Sequence, residues 1–160
     1  MTDIHALIAT LRAEQVRFVV IGAVALSLRG GTRVTFDLDV CYERSRDNAE
    51  RLERALAGLH PRMRGAAPEL PFVWDRTTIR SGSNFTLTTD LGDLDLLGEV
   101  TGLGGYAETA ALASELLVDG EPLLVLTLAG LERAKRAAGR AKDLIDLAEI
   151  GALRAREGEG

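Results

Sequence analysis

Ile4, Leu7, Ile8 and Leu11 recur every third or fourth position, which predicts an amphipathic helix running to about Gln15, with Thr2 or Asp3 as its N-cap. The next run, Val16 to Ile21, is β-branched and almost uniformly apolar, the pattern of a strand covered on both faces. Gly22 breaks it, and Ala23 to Leu28 predicts a short helix stopped by Gly30-Gly31. Arg33 to Cys41 predicts a second strand, Arg46 to Leu59 a charged helix with Leu52, Leu56 and Leu59 inward, and Pro61 to Pro71 a loop. From Phe72 to Gly98 the pattern predicts several short strands, the last two near Asn84 to Thr88 and Asp93 to Leu97, joined by a turn at Asp90 to Gly92. A short helix near Glu108 precedes a hairpin turning at Asp119-Gly120. Two helices, about Thr127 to Ala138 and Lys142 to Arg154, close the chain with Gly139 as a C-cap between them. The predicted class is therefore α/β (α+β), a mixed β-sheet flanked by helices, in a single domain over residues 1–156 with a disordered tail at 157–160.

Composition narrows the function classes. With 160 residues, 46% of them hydrophobic, the chain has material for one core. Aromatic residues make up only 4%, which argues against stacked platforms for single-stranded nucleic acid. A net charge of −5 argues against a nucleic-acid coat, although a local basic groove is compatible with it. The single cysteine, Cys41, excludes an intramolecular disulfide and fits a reducing compartment. Met1 to Ile4 do not open a basic and then apolar leader, and no window approaches the roughly 20 apolar residues of a membrane span. The expected location is the cytoplasm.

Two acidic pairs change the picture most: Asp37-Leu38-Asp39 and Asp93-Leu94-Asp95, both within predicted strands. Alternation along a strand puts both carboxylates of each pair on one face and the apolar neighbours on the other. Like charges held side by side raise one another's pKa unless a cation sits between them, and a divalent metal is the simplest such cation. A strand ending at Gly22, followed by a short helix and then the acidic strand, directs backbone N–H groups toward that metal, an arrangement suited to a triphosphate with Mg²⁺. Arg33 and Thr35 precede Asp37 on its face, where they orient a carboxylate, contact phosphate or serve only the strand. Lys135, Arg140 and Lys142 flank a helix break from which long cationic chains reach phosphates, with Asp143 or Asp146 orienting them. Taken alone, that run also reads as an ion-paired, solvated helix face.

Gly22-Ala23 followed by Asp37-Leu38-Asp39-Val40 resembles the signature of the nucleotidyltransferase superfamily. Three blocks, Arg33 to Asp39, Thr86 to Leu97 and Lys135 to Leu147, together resemble small bacterial nucleotidyltransferase-like proteins related to AbiEii-type toxins. That resemblance implies the nucleotidyltransferase fold, with Asp37, Asp39 and Asp95 as metal ligands and catalytic carboxylates. It implies Mg²⁺ or Mn²⁺, a nucleoside triphosphate as substrate, and transfer of its nucleoside monophosphate to a hydroxyl of tRNA or protein, with a cognate antitoxin as a possible partner. Gly22 matches the phosphate-loop glycine. Ala23 departs from the usual serine, leaving Ser27 or backbone amides to take its place. Two other readings stay open: a catalytically silent nucleotide- or partner-binding domain, and a phosphotransferase moving the γ-phosphate.

Overall fold

In the computed structural model, which describes residues 1–159, Phe-Val-Val-Ile forms β1 (Phe18–Ile21), every residue of which is buried. A strand without a polar face belongs inside a sheet, and β1 sits between β2 (Asp37–Tyr42) and β7 (Glu121–Leu126). With β3 (Arg62–Met63), β4 (Asn84–Thr89), β5 (Gly92–Leu97) and β6 (Ala113–Val118), they make a seven-stranded sheet of order β3-β4-β5-β2-β1-β7-β6. β2 runs parallel to β5 and β1 parallel to β7, while the other neighbours are antiparallel, so the sheet is mixed as predicted.

Helices cover the sheet. α1 (Ile4–Ala13) is capped by Asp3, whose carboxylate accepts from Ala6 N, and buries Leu7, Ile8 and Leu11. α2 (Gly22–Leu28) follows β1 directly. α3 (Arg46–Leu56) starts at the Ser45 cap, and its Asn48 is fully buried. Asn48 Oδ1 accepts from Arg17 N, and its Nδ2 donates to the carbonyls of Arg17 and Glu43, tying α3 to the ends of β1 and β2. α5 (Tyr106–Ala111), α6 (Leu128–Ala138) and α7 (Asp143–Glu159) complete the cover, with Gly139 left-handed at φ +62° as the α6 C-cap. No helix among the described residues is long and apolar enough to cross a membrane.

Four segments differ from the sequence reading, the first being Pro61 to Pro71, expected as a loop, where Arg62–Met63 pairs with β4 as β3. The chain enters β2 only at Asp37, so Arg33 and Thr35 lie in a loop. β1 ends at Ile21, paired with Asp39, and leaves nothing on that side for residues 33–36 to ladder against. Arg76–Ser81 forms α4 despite its β-branched Thr77, Thr78 and Ile79, because Asp75 caps it by accepting from Thr78 N at 2.7 Å. Residues 157–159, expected as a tail, continue α7, and Gly160 lies outside the described residues.

The β1–α2 joint positions an acid of the next strand. Gly22 has φ +66°, and a Cβ built on it would collide with Asp39 Oδ2 and approach Asp39 Cβ and Cγ at 3.2 Å. Gly22→Ala therefore strains the backbone and displaces the Asp39 carboxylate together. We expect it to lower the unfolding free energy by about 1–3 kcal/mol in denaturant titrations. An unchanged midpoint would mean that Asp39 moves aside without penalty.

Candidate active site

The parallel register of β2 and β5 sets Asp37 beside Asp93 and Asp39 beside Asp95. Leu38, Leu94 and Leu96 turn into the core, so the carboxylates share the opposite face. Asp37, Asp39 and Asp95 each present an oxygen within 4.8 Å of the others, a span that one divalent cation can bridge. Asp37 is further held by its neighbour: Thr35 Oγ1 donates to its backbone carbonyl at 3.0 Å.

Asp39 is the most enclosed of the three. Its Oδ1 is buried without a hydrogen-bond partner. Burial, the charges of Asp37 and Asp95 and a hydrogen bond shared with Asp95 push its carboxyl up to about 7, against the pull of Lys135. Near neutral pH the Asp39 carboxyl is therefore only partly ionised. The other two edges of the array meet an arginine: Arg64 Nη2 donates to Asp95 Oδ1 at 2.8 Å, and its Nε lies 3.4 Å from Asp93 Oδ2.

Across the cleft stand cations from α6, from the α6–α7 connection and from the loop before β2, paired with two aspartates of α7. Lys135 Nζ donates to Asp146 Oδ2 at 2.8 Å and to Asp143 Oδ1 at 3.2 Å. Arg33 adds a 2.6 Å bond to Asp146, and Arg140 contacts both oxygens of Asp143. The two aspartates are buried and the Lys135 side chain is only 12% exposed, whereas Arg33 and Arg140 keep their side chains 48% and 53% exposed, so the acids are enclosed and the guanidinium ends meet solvent. Burial works to raise the Asp143 carboxyl, but hydrogen bonds from Arg140 and Lys135 outweigh it and hold it below its ordinary value.

Acids and cations line one cleft of about 830 Å³, which also receives Gly22, Ala23, Arg33, Thr35 and Lys142. Ser27 does not line it and lies exposed on α2. Arg33 and Thr35 reach the site from a loop, engaged with Asp146 and Asp37 respectively. Arg64 is absent from the sequence reading. It belongs to a stretch with no periodicity, and the only signal for it is the unbalanced charge of two neighbouring Asp-x-Asp pairs. Val34 and Phe36, at 71% and 66% exposure, are apolar groups at the cleft that the sequence pattern also did not single out.

No family model and no curated protein matches the chain. Among solved structures it is similar to a proposed nucleotidyltransferase from Thermotoga maritima, with 17% identity and a TM-score of 0.58, covering 100% of this chain and 97% of that one. It is also similar to ANT(2'')-Ia in complex with adenylyl-2''-tobramycin, with 17% identity and a TM-score of 0.56 over 96% of each chain. The solution structure of the antibiotic-resistance factor ANT(2'')-Ia matches with 16% identity and a TM-score of 0.58, over 98% of this chain and 89% of that one. At these identities the likeness is one of architecture: the chain has the nucleotidyltransferase fold.

Proposed function

We propose that the cleft transfers a nucleoside monophosphate from a nucleoside triphosphate to an acceptor hydroxyl, releasing pyrophosphate. The observation that carries this reading is the convergence of Asp37, Asp39 and Asp95 opposite Lys135, Arg140 and Lys142 in one cleft. An all-carboxylate donor set suits the hard cations Mg²⁺ or Mn²⁺, and the buried, unpartnered Oδ1 of Asp39 with its raised pKa fits a position completed by such an ion. Bound there, the cation supplies Lewis-acid neutralisation of the triphosphate and of the leaving pyrophosphate.

The chain's own residues supply the rest of the reading. Lys135, Arg140 and Lys142 donate to phosphate oxygens, and Gly22 and Ala23 admit the triphosphate close to the backbone. The acceptor oxygen attacks the α-phosphorus, one P–O bond forms, and the bond to pyrophosphate breaks. The hydroxyl proton passes to Asp95, the carboxylate that the sequence resemblance implies for that role. The acceptor in this reading is a hydroxyl of RNA, at the 3′ end of tRNA, or of a protein. The biological setting is a toxin-like enzyme of the AbiEii-related kind, restrained by a cognate antitoxin. ANT(2'')-Ia forms a complex with an adenylylated aminoglycoside.

Nucleoside triphosphates labelled at the α-phosphate, incubated with Mg²⁺, total RNA and lysate, are expected to label a macromolecule. Asp39→Asn and Asp37→Asn should reduce that labelling at least about a hundredfold, since a Lewis-acidic ion contributes several kcal/mol. Label reaching the acceptor from the γ-position instead would identify a phosphotransferase. Nucleotide binding with no transfer at all would identify a silent module.

Metal and proton compete for Asp39. With its folded pKa about 7 against an ordinary 3.8, the folded state holds the extra proton between those values. The Asp39 contribution to metal-free stability is therefore largest at the acid end of this range and declines as pH rises toward 7. Mg²⁺ or Mn²⁺ should reverse that decline, and its apparent affinity should fall about tenfold per pH unit below 7. Thermal unfolding across pH 4.5 to 8, with and without metal, checks both signs. Metal stabilisation independent of pH would remove Asp39 from the ligand set.

A further inference from the structure

Like charges in adjacent rows need a counter-charge that does not occupy the position meant for a metal. Arg64 has that geometry. It follows β3 at the sheet edge, and its own N–H continues the ladder to β4 by donating to Thr86 O at 2.9 Å. From there the side chain crosses β4 to the acidic face. Nη2 donates both to Leu87 O at 2.7 Å and to Asp95 Oδ1 at 2.8 Å, while Nε faces Asp93 Oδ2 at 3.4 Å. Asp93 is held from its other side by Thr88 Oγ1 at 3.2 Å.

We propose that Arg64 is a positioning residue that fixes the Asp95 carboxylate through Oδ1 and leaves Oδ2 as the oxygen offered to a divalent cation. The inference rests on the metal-binding reading of Asp37, Asp39 and Asp95. The Leu87 carbonyl matters because it anchors the guanidinium independently of the acids. A cation arriving between Asp37, Asp39 and Asp95 then finds Asp95 already oriented, and the arginine has no reason to leave. The planar fork also explains the residue type: one group meets two carboxylates on the same strand and a main-chain oxygen, which a lysine ammonium on a flexible stem reproduces poorly. Arg62 lies exposed on β3, and among the described residues its side chain hydrogen-bonds only the His60 carbonyl, at 3.4 Å. It serves as the matched control.

The effect belongs to metal affinity before it belongs to turnover. Outer-shell partners of metal ligands typically change affinity by 10–100-fold, and we expect a loss of that order for Arg64→Gln. The test is a Mn²⁺ titration read by the EPR signal of free Mn²⁺, on wild type, Arg64→Gln, Arg64→Lys and Arg62→Gln, beside metal-free unfolding of each. Arg64→Lys should fall between wild type and Arg64→Gln, and Arg62→Gln should match wild type. A merely structural arginine would lower metal-free stability and leave the affinity of the folded fraction untouched. Mn²⁺ affinity of Arg64→Gln within about threefold of wild type overturns the proposal. Should Arg64→Gln fail to fold, wild-type affinity in Arg64→Lys overturns it equally. Wild type that does not bind Mn²⁺ at all overturns instead the metal reading on which the proposal stands.

Discussion

Adjacent strands lie about 4.8 Å apart, so the parallel pairing of β2 with β5 brings the Asp37–Asp93 and Asp39–Asp95 carboxylates to roughly that separation. At an effective dielectric of about 20, each such repulsion is worth about 3 kcal/mol, too much for a small domain to leave unanswered. The fold answers it three ways. Asp39 takes up a proton, Arg64 bridges the outer edge, and Lys135 acts from the facing helix. Among the described residues no cationic side chain hydrogen-bonds Asp37 or Asp39, and Lys135 acts on Asp39 through its charge alone. Burial of Asp39, with Asp37 on its own strand and Asp95 across the register, accounts for its raised pKa, and the register also accounts for the arginine at the sheet edge and the convergence of the three carboxylates.

The parts of this arrangement readable in the sequence are those set by local pattern. β1 shows itself by unbroken apolar character, β2 and β5 by apolar–acid alternation, and the α6 terminus by Gly139. What escaped depends on partners distant in sequence. The loop status of Arg33 and Thr35 follows from where β1 stops, and the role of Arg64 follows from its reach across β4. α7 is instructive because it inverts the usual pattern. It buries Asp143 and Asp146 while leaving Leu144 and Ile145 exposed, at 66% and 77%. Apolar periodicity marks the helix itself, whose Ile150 is fully buried, but not the inward place of the carboxylates satisfied by Lys135, Arg33 and Arg140.

That inverted face does structural work beyond charge balance. Buried ion pairs gain little over apolar packing, yet removing one partner strands the other, so they specify arrangement more than stability. Arg33 ties the loop before β2 to Asp146, and Thr32 N and Oγ1 both bond Glu149 one helical turn further along. The segment that delivers Asp37 is therefore fastened to α7, and Lys135 fastens α7 to α6. Metal face and cationic wall are coupled through side chains.

Gly22 belongs to both sides of the question and must be weighed accordingly. Its left-handed backbone and its contact with Asp39 would require glycine even if no phosphate ever approached. The glycine is thus direct evidence for the placement of Asp39 and only indirect evidence for a nucleotide. Ala23 carries no hydroxyl, Ser27 points away from the cleft, and Thr35 is already engaged with Asp37. Under the proposed reading, phosphate recognition in this cleft would fall on the cations and on backbone amides. The buried partners of Lys135 and Arg140 hold those cations facing the acids, which makes the α6–α7 corner, rather than the glycine turn, the element on which a triphosphate would depend.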